Sequence, residues 1–284
     1  MIKIILGTAQ FGLNYGITNT KGQVASTEVE KIFDFANINN IHMVDTASAY
    51  GASEKLLGNF QKLEIITKIE LKIKHGAYID GNCLQKIKES LHRLKRENIY
   101  GLLLHDPAIL LTKFGKSIFY DLVQAKNVGF VKKIGVSVYC PDQLSEIINR
   151  FDIDLVQLPM NVLDQRFINS GVLKKLEQKG IEIHIRSIFL QGALLALKTP
   201  TALLKWDKNF KKINKSCINL GISQLEFCIS FIKNNLLNGS IVIGVNSKAE
   251  LSEIIDAIKV KTIEQNWKSY ASNDINLISP NKWQ

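Results

Sequence analysis

Eight short apolar runs punctuate this chain: IKIILG from Ile2, IHMVDT from Ile41, LEIITK from Leu63, IYGLLLH from Ile99, VKKIGVSV from Val131, LVQLP from Leu155, IEIHIRS from Ile181 and SIVIGV from Ser240. Amphipathic stretches of helical period lie between most of them, such as CLQKIKESLHRLKREN after Asn82 and QLSEIINRF after Asp142. Strands that alternate with helices build a parallel sheet, because each helix carries the chain back to start the next strand in the same direction. Eight such units close into a single α/β (β/α)8 TIM barrel, an architecture that takes roughly 250 residues. Residues 1–284 are therefore expected to form one domain, with 259–284 as a C-terminal tail. No internal repeat, low-complexity tract or long Pro/Gly/Ser linker divides it.

Two stretches break the rhythm. About 50 residues separate the seventh and eighth runs, enough for two helices where a plain barrel needs one. The first of these, around TALLKWDKNFKKINKSCINLG, is a candidate lid or substrate-facing insertion. The tail carries Trp267, Tyr270 and Trp283 and is expected to pack outside the barrel rather than across its mouth.

Composition narrows the function classes. A content of 46% hydrophobic residues and a mean hydropathy of +0.03 allow a large core, and no apolar run reaches the ~20 residues that span a bilayer. The start, MIKIILGTAQFG, lacks the charged, apolar and small-residue regions of a signal peptide, so the cytoplasm is the expected location. Cys83, Cys140, Cys217 and Cys228 show neither CxxC pairing nor scaffold density. The imidazoles His42, His75, His92 and His184 form no metal-ligand spacing. A net charge of +10 suits an anionic ligand, but the lysines are scattered. The densest cluster, KNFKKINK from Lys208, lacks the aromatic interleaving of a single-strand-binding surface and reads as a solvated helix face. No nucleic-acid or membrane partner is expected, and oligomeric state is not legible.

Three of the runs end in a polar group: HMVDTA in Asp45, EIITK in Lys68 and YGLLLH in His105. Tyr50 follows Asp45 in the loop DTASAYGASE. In a parallel barrel the reactive side chains sit at the carboxyl ends of strands, where loops vary without disturbing the packed interior. Each residue also has an ordinary reading, as a helix cap, a packed aromatic or a structural imidazole. Their order on successive strand ends favours a joint role.

LGTAQFGLNYG at Leu6 to Gly16, DTASAYGASEKLLG at Asp45 to Gly58, Thr67–Lys68, LLLHDP at Leu102 to Pro107, IGVSVY at Ile134 to Tyr139 and IVIGVNS at Ile241 to Ser247 together resemble the aldo-keto reductase superfamily over nearly the full length. The resemblance implies reduction of an aldehyde or ketone, sugar-derived carbonyls included, by a nicotinamide cofactor lying across the barrel mouth, without metal. Tyr50 would be the acid, since carbonyl reduction needs a proton donor within about 3 Å of the oxygen. Lys68 would lower the phenol's pKa, Asp45 would keep Lys68 charged, and His105 would donate to the carbonyl oxygen. The alternative is a non-catalytic cofactor-binding sensor or regulatory subunit on the same barrel.

The resemblance also implies the cofactor contacts. Ser137 and Gln157 would bind the nicotinamide carboxamide, with Val138 standing where relatives commonly carry Asn and Asn161 as a candidate replacement. Arg186 replaces an aromatic that stacks on the nicotinamide; it would stack there itself, favouring the reduced ring, or meet an anionic substrate group. Ser187, Leu190 and Gln191 would follow the pyrophosphate. Gly7, Thr8 and Gly244 lie at strand ends beside it, and Asn246, Ser247 and Lys248 are candidate phosphate ligands. Glu250 and Ile254 replace an arginine and an asparagine that grip a 2′-phosphate. NADPH is expected on family habit, with NADH as the alternative.

Overall fold

Each barrel strand in the computed structural model pairs in parallel with the next in sequence, and the last pairs with the first to close the ring. The structure describes residues 2–71, 82–236 and 238–283; His75 lies outside them. The strands are β1 (Lys3–Gly7), β2 (Met43–Asp45), β3 (Glu64–Ile69), β4 (Ile99–Leu104), β5 (Val131–Ser137), β6 (Leu155–Pro159), β7 (Glu182–Arg186) and β8 (Ser240–Gly244). The expected (β/α)8 barrel is the fold observed.

Period-2 alternation divides each strand between two cores. Ile5, Ile66, Leu103, Leu155 and Val242 form a small cluster inside the barrel, while Leu6, Val44, Ile65, Leu102 and Ile183 join the larger layer under the helices. The helices present their apolar stripes to that layer. Asn82–Leu94 buries Cys83, Ile87, Leu91 and Leu94, and Pro141–Arg150 buries Leu144, Ile147 and Ile148, at the spacings of one helical face.

The interior of β7 is polar. Ile183 and Ile185 join the outer layer, so alternation turns Glu182, His184 and Arg186 inward. At the amino-terminal end Glu182 accepts from Tyr100 Oη at 2.8 Å, pairs with Lys133 and lies 2.6 Å from His184 Nε2. Arg186 reaches the opposite, carboxyl-terminal rim.

The two helices expected between β7 and β8 are Asp207–Leu220 and Gln224–Asn235. The first is no lid: no residue from Thr201 to Leu220 lines the cavity at the mouth. The tail pins it instead, through Trp206 Nε1 donating to Asp274 at 2.8 Å and Tyr270 Oη to Ser216 at 2.8 Å. Trp267 packs edge-on against Phe227 and Phe231 outside the barrel, yet Pro280 and Asn281 return to the rim of the mouth. The tail thus does both things that the sequence set as alternatives. No described helix is long and apolar enough to cross a membrane.

Candidate active site

A cavity of about 620 Å³ opens at the carboxyl ends of the strands, a size suited to small-molecule ligands. Asp45, Tyr50, Lys68 and His105 all line it. Lys68 is among the largest fully buried side chains, at 1% exposure, and a cation so placed needs a partner. Its Nζ donates to Asp45 Oδ2 at 2.6 Å and to the Thr46 carbonyl at 2.9 Å. Asp45 Oδ1 accepts from Gln157 Nε2 at 2.7 Å. The carboxylate is held on both oxygens, which fixes where the ammonium stands.

Tyr50 faces this pair. Lys68 Nζ lies 5.0 Å from the centre of its ring, and the His105 ring stands edge-on to it with centroids 6.2 Å apart. Two glycines set the backbone here. A Cβ on Gly12 would fall 1.9 Å from the Tyr50 carbonyl oxygen. Gly51 has φ +54°, and a Cβ there would fall 2.4 Å from the Gly12 carbonyl oxygen. Only two glycines allow the first loop to pass this close to the Tyr50 loop. Beneath them Ser53 Oγ donates to Thr8 Oγ1 at 2.7 Å, and Thr8 Oγ1 donates to the Asp45 carbonyl at 3.1 Å. Buried Glu54 accepts from Thr67 Oγ1 and from Arg93 Nε, both at 2.6 Å, tying the Tyr50 loop to β3.

The electrostatics correct one expectation. The Tyr50 phenol is raised above its ordinary pKa, first by burial and then by the Asp45 charge, with Arg186 acting the other way. The Lys68 ammonium is held by Asp45 at 2.6 Å. Burial pulls Lys68 itself down, and Asp45 restrains that shift. His105 is lowered by burial and then by Lys68, so its imidazole is held neutral; Nδ1 approaches Glu70 Oε1 at 3.4 Å without hydrogen-bond geometry. The chamber therefore holds a protonated phenol beside a neutral imidazole, a pair able to donate to one oxygen.

Of the expected cofactor residues, Gly7, Thr8, Ser137, Gln157, Arg186, Ser187, Gln191, Gly244 and Asn246 line the cavity. Leu190, Ser247 and Lys248 do not. Leu190 is fully buried, the Ser247 hydroxyl caps the Lys248–Lys259 helix by accepting from Glu250 N at 3.2 Å, and Lys248 Nζ lies over the Phe35 ring. Asn161 is also committed elsewhere: its Oδ1 accepts from Leu163 N and Asp164 N, and its Nδ2 donates to the Ser187 carbonyl. It cannot replace the missing carboxamide contact. Arg186 lies over Tyr139, with its guanidinium carbon 3.9 Å from the ring centre.

Several lining residues escaped the sequence reading, among them Gln10, Tyr139 and Glu253. Their strand-end positions in AQFG and SVY were the available signal for Gln10 and Tyr139. Ser187, Leu190 and Gln191 share left-handed backbone, at φ 59°, 50° and 55°, which concentrates strain in the loop after β7. Such strain gathers at ligand-binding segments. The donor set fits a nicotinamide: Gln157 Oε1 meets only Ser137 Oγ, at 3.5 Å, leaving an acceptor and a hydroxyl for a primary carboxamide. At the far end Gly244 has no side chain, and a Cβ there would strike the Gln10 amide at 2.3 Å. Among the described residues no cluster of His, Cys, Asp or Glu could hold a metal ion.

The comparisons with known proteins agree with this geometry. The family model described as aldo/keto reductase family matches residues 3–274. An aldo-keto reductase of Mycobacterium avium (strain 104) is 33% identical over 114 residues, 39% of this chain and 39% of that protein. The chloroplastic pyridoxal reductase of Arabidopsis thaliana is 30% identical over 136 residues, 42% of this chain and 37% of that protein. The chain spans about two fifths of the length of these curated relatives. Among solved structures, the holo form of aldo-keto reductase AKR11C1 from Bacillus halodurans shares the fold with a TM-score of 0.76 at 18% identity, covering 94% of this chain and 90% of that one. With the family model matched along the barrel and the tetrad gathered in one chamber, the chain belongs to the aldo/keto reductase family.

Proposed function

We propose that this chain reduces an aldehyde or ketone to the alcohol with a reduced nicotinamide cofactor, Tyr50 supplying the proton. The observation that carries this reading is the partly buried phenol of Tyr50, held protonated in one chamber with the Lys68–Asp45 pair and the neutral His105. When bound, the cofactor supplies the hydride. The remaining work falls to the chain's own groups. His105 orients the carbonyl oxygen and stabilises the charge that develops on it. Tyr50 gives that oxygen its proton. Lys68, anchored on both sides of Asp45 by the salt bridge and by Gln157, limits the cost of leaving a phenolate behind. Ser137 and Gln157 would hold the carboxamide and so select the ring face.

For the cofactor we place NADH ahead of NADPH, reversing the order that family habit suggests. Glu250 lines the cavity and folds back on the start of its helix, accepting from Asn246 N at 2.7 Å and from Asn246 Nδ2 at 3.2 Å. Glu253 lines the same wall. A helix amino terminus is a ready anion site, and here Lys248 N already donates to the Glu28 carboxylate at 2.9 Å. Two carboxylates repel a 2′-phosphate but accept hydrogen bonds from a ribose diol.

Fluorescence titration with NADH and with NADPH, followed by mixing the better binder with a panel of aldehydes and keto-sugars, tests both parts. Binding with turnover supports the reductase. Failure of both cofactors to bind would remove it, and tight binding without turnover across the panel would favour the sensor reading.

A further inference from the structure

Arg186 is a guanidinium without a counter-ion in a chamber built for a neutral carbonyl. Arg93, Arg150 and Arg166 each have a carboxylate partner; Arg96 and Arg186 have none among the described residues, and of these two only Arg186 lines the cavity. Its Nη2 donates to the Val138 carbonyl at 3.0 Å, and its Nη1 lies 3.4 Å from Ser187 Oγ. Those contacts use two of its N–H groups and leave the rest of the five-donor fork uncommitted. The guanidinium carbon lies 3.9 Å from the Tyr139 ring centre, and this contact with the two hydrogen bonds holds the fork in place, so little freedom remains to be lost on binding.

The charge acts on the reacting end of the cavity. Tyr15, Tyr50, Lys68 and His105 all respond to it, which places it among the groups that would surround the carbonyl. Lys68 is neutralised by Asp45, and the lining carboxylates Glu250 and Glu253 belong to the helix after β8. Glu70 lies toward His105, 3.4 Å from Nδ1, so the guanidinium of Arg186 stands beside the acid with no carboxylate bonded to it. A partly buried cation without a partner is costly unless an anion arrives to meet it, and a fixed planar fork matches the two oxygens of a carboxylate or phosphate.

Resting on the reductase reading, we infer that Arg186, seated on Tyr139 and unpaired at the mouth beside Tyr50 and His105, is a specificity residue that selects carbonyl substrates bearing an oxyanion. The oxyanion, carboxylate or phosphate, stays unchanged while the carbonyl is reduced. The cofactor's own pyrophosphate offers the same chemistry, and the test separates the two sources.

Matched pairs make the test: 4-oxobutanoate against its methyl ester, and glyceraldehyde 3-phosphate against glyceraldehyde. For wild type, kcat/KM is expected to favour the anionic member of at least one pair by about tenfold to a hundredfold, the usual worth of a charge-assisted contact. Arg186→Gln is expected to collapse that ratio towards unity, and Arg186→Lys to restore part of it. The Kd for NADH, measured on the same variants, separates any part Arg186 plays in cofactor binding from the selection of substrate. Equal kcat/KM within both wild-type pairs would overturn the inference. A large loss of NADH affinity in Arg186→Gln with an unchanged ratio would assign the guanidinium to the cofactor and overturn it as well. Calorimetric binding of 4-hydroxybutanoate and of 4-hydroxybutanamide separates this inference from the reductase reading. Arg186-dependent preference for the carboxylate without turnover would uphold the anion site and remove the activity, whereas equal binding of the two would remove the anion site alone.

Discussion

Replacing Lys68 by methionine removes the ammonium and strands a carboxylate. Lys68 and Asp45 expose only 1% and 4% of their side chains, so no solvent takes over the lost contact. Breaking a buried ion pair by removing one partner costs about 3–5 kcal/mol. Asp45 keeps its bond from Gln157 Nε2, which places this case near the lower figure, about 3 kcal/mol. For a chain of 284 residues each kcal/mol moves Tm by about 2 °C, so a fall of about 6 °C is expected at neutral pH by circular dichroism. The double variant Asp45→Asn/Lys68→Met carries no stranded charge. It should melt above the single variant by about 3 °C or more, the two changes being coupled through one contact. A single variant that melts with wild type, or a double variant as unstable as the two single losses added, would show that the pair does not carry its buried charges in this way.

Gly12→Ala puts a methyl group 1.9 Å from the Tyr50 carbonyl oxygen, so the loop must move; turnover should fall by about a hundredfold, and kinetics at saturating cofactor would show it. Glu250→Gln removes one of the two carboxylates from the cavity wall, and the ratio of NADPH to NADH affinity should rise by about tenfold in fluorescence titrations. His105 is held below its ordinary pKa of 6.5, so the unfolded chain takes up this proton first and stability falls as pH drops below about 6.5. In His105→Gln that part of the pH dependence of the urea midpoint should disappear.

Alternation along a strand made much of this site legible. Asp45, Lys68 and His105 could be placed at one rim because each closes an apolar run, and period 2 decides which face each run turns inward. Tyr50 was legible through its loop motif, though not the pair of glycines that holds it, since that contact joins residues 12 and 50–51. The Gln157–Asp45 bond spans 112 residues and exists only once the barrel closes. Orientation in loops was harder. Leu190, Ser247 and Lys248 have suitable sequence positions but turn to the core, to a helix cap and to Phe35, because local backbone geometry sets their directions. The direction of the Tyr50 shift was hidden for a related reason: its largest cause is burial, which exists only once the loop has folded over the closed barrel.

The decisive comparison is wild type against Tyr50→Phe, each mixed with NADH and a reactive aldehyde while the absorbance of reduced nicotinamide is followed, with the NADH Kd measured separately. If Tyr50 delivers the proton, turnover in the variant falls by about 10²–10⁴ while the Kd stays within about twofold. Reduction by Tyr50→Phe at the wild-type rate would show that the proton comes from elsewhere.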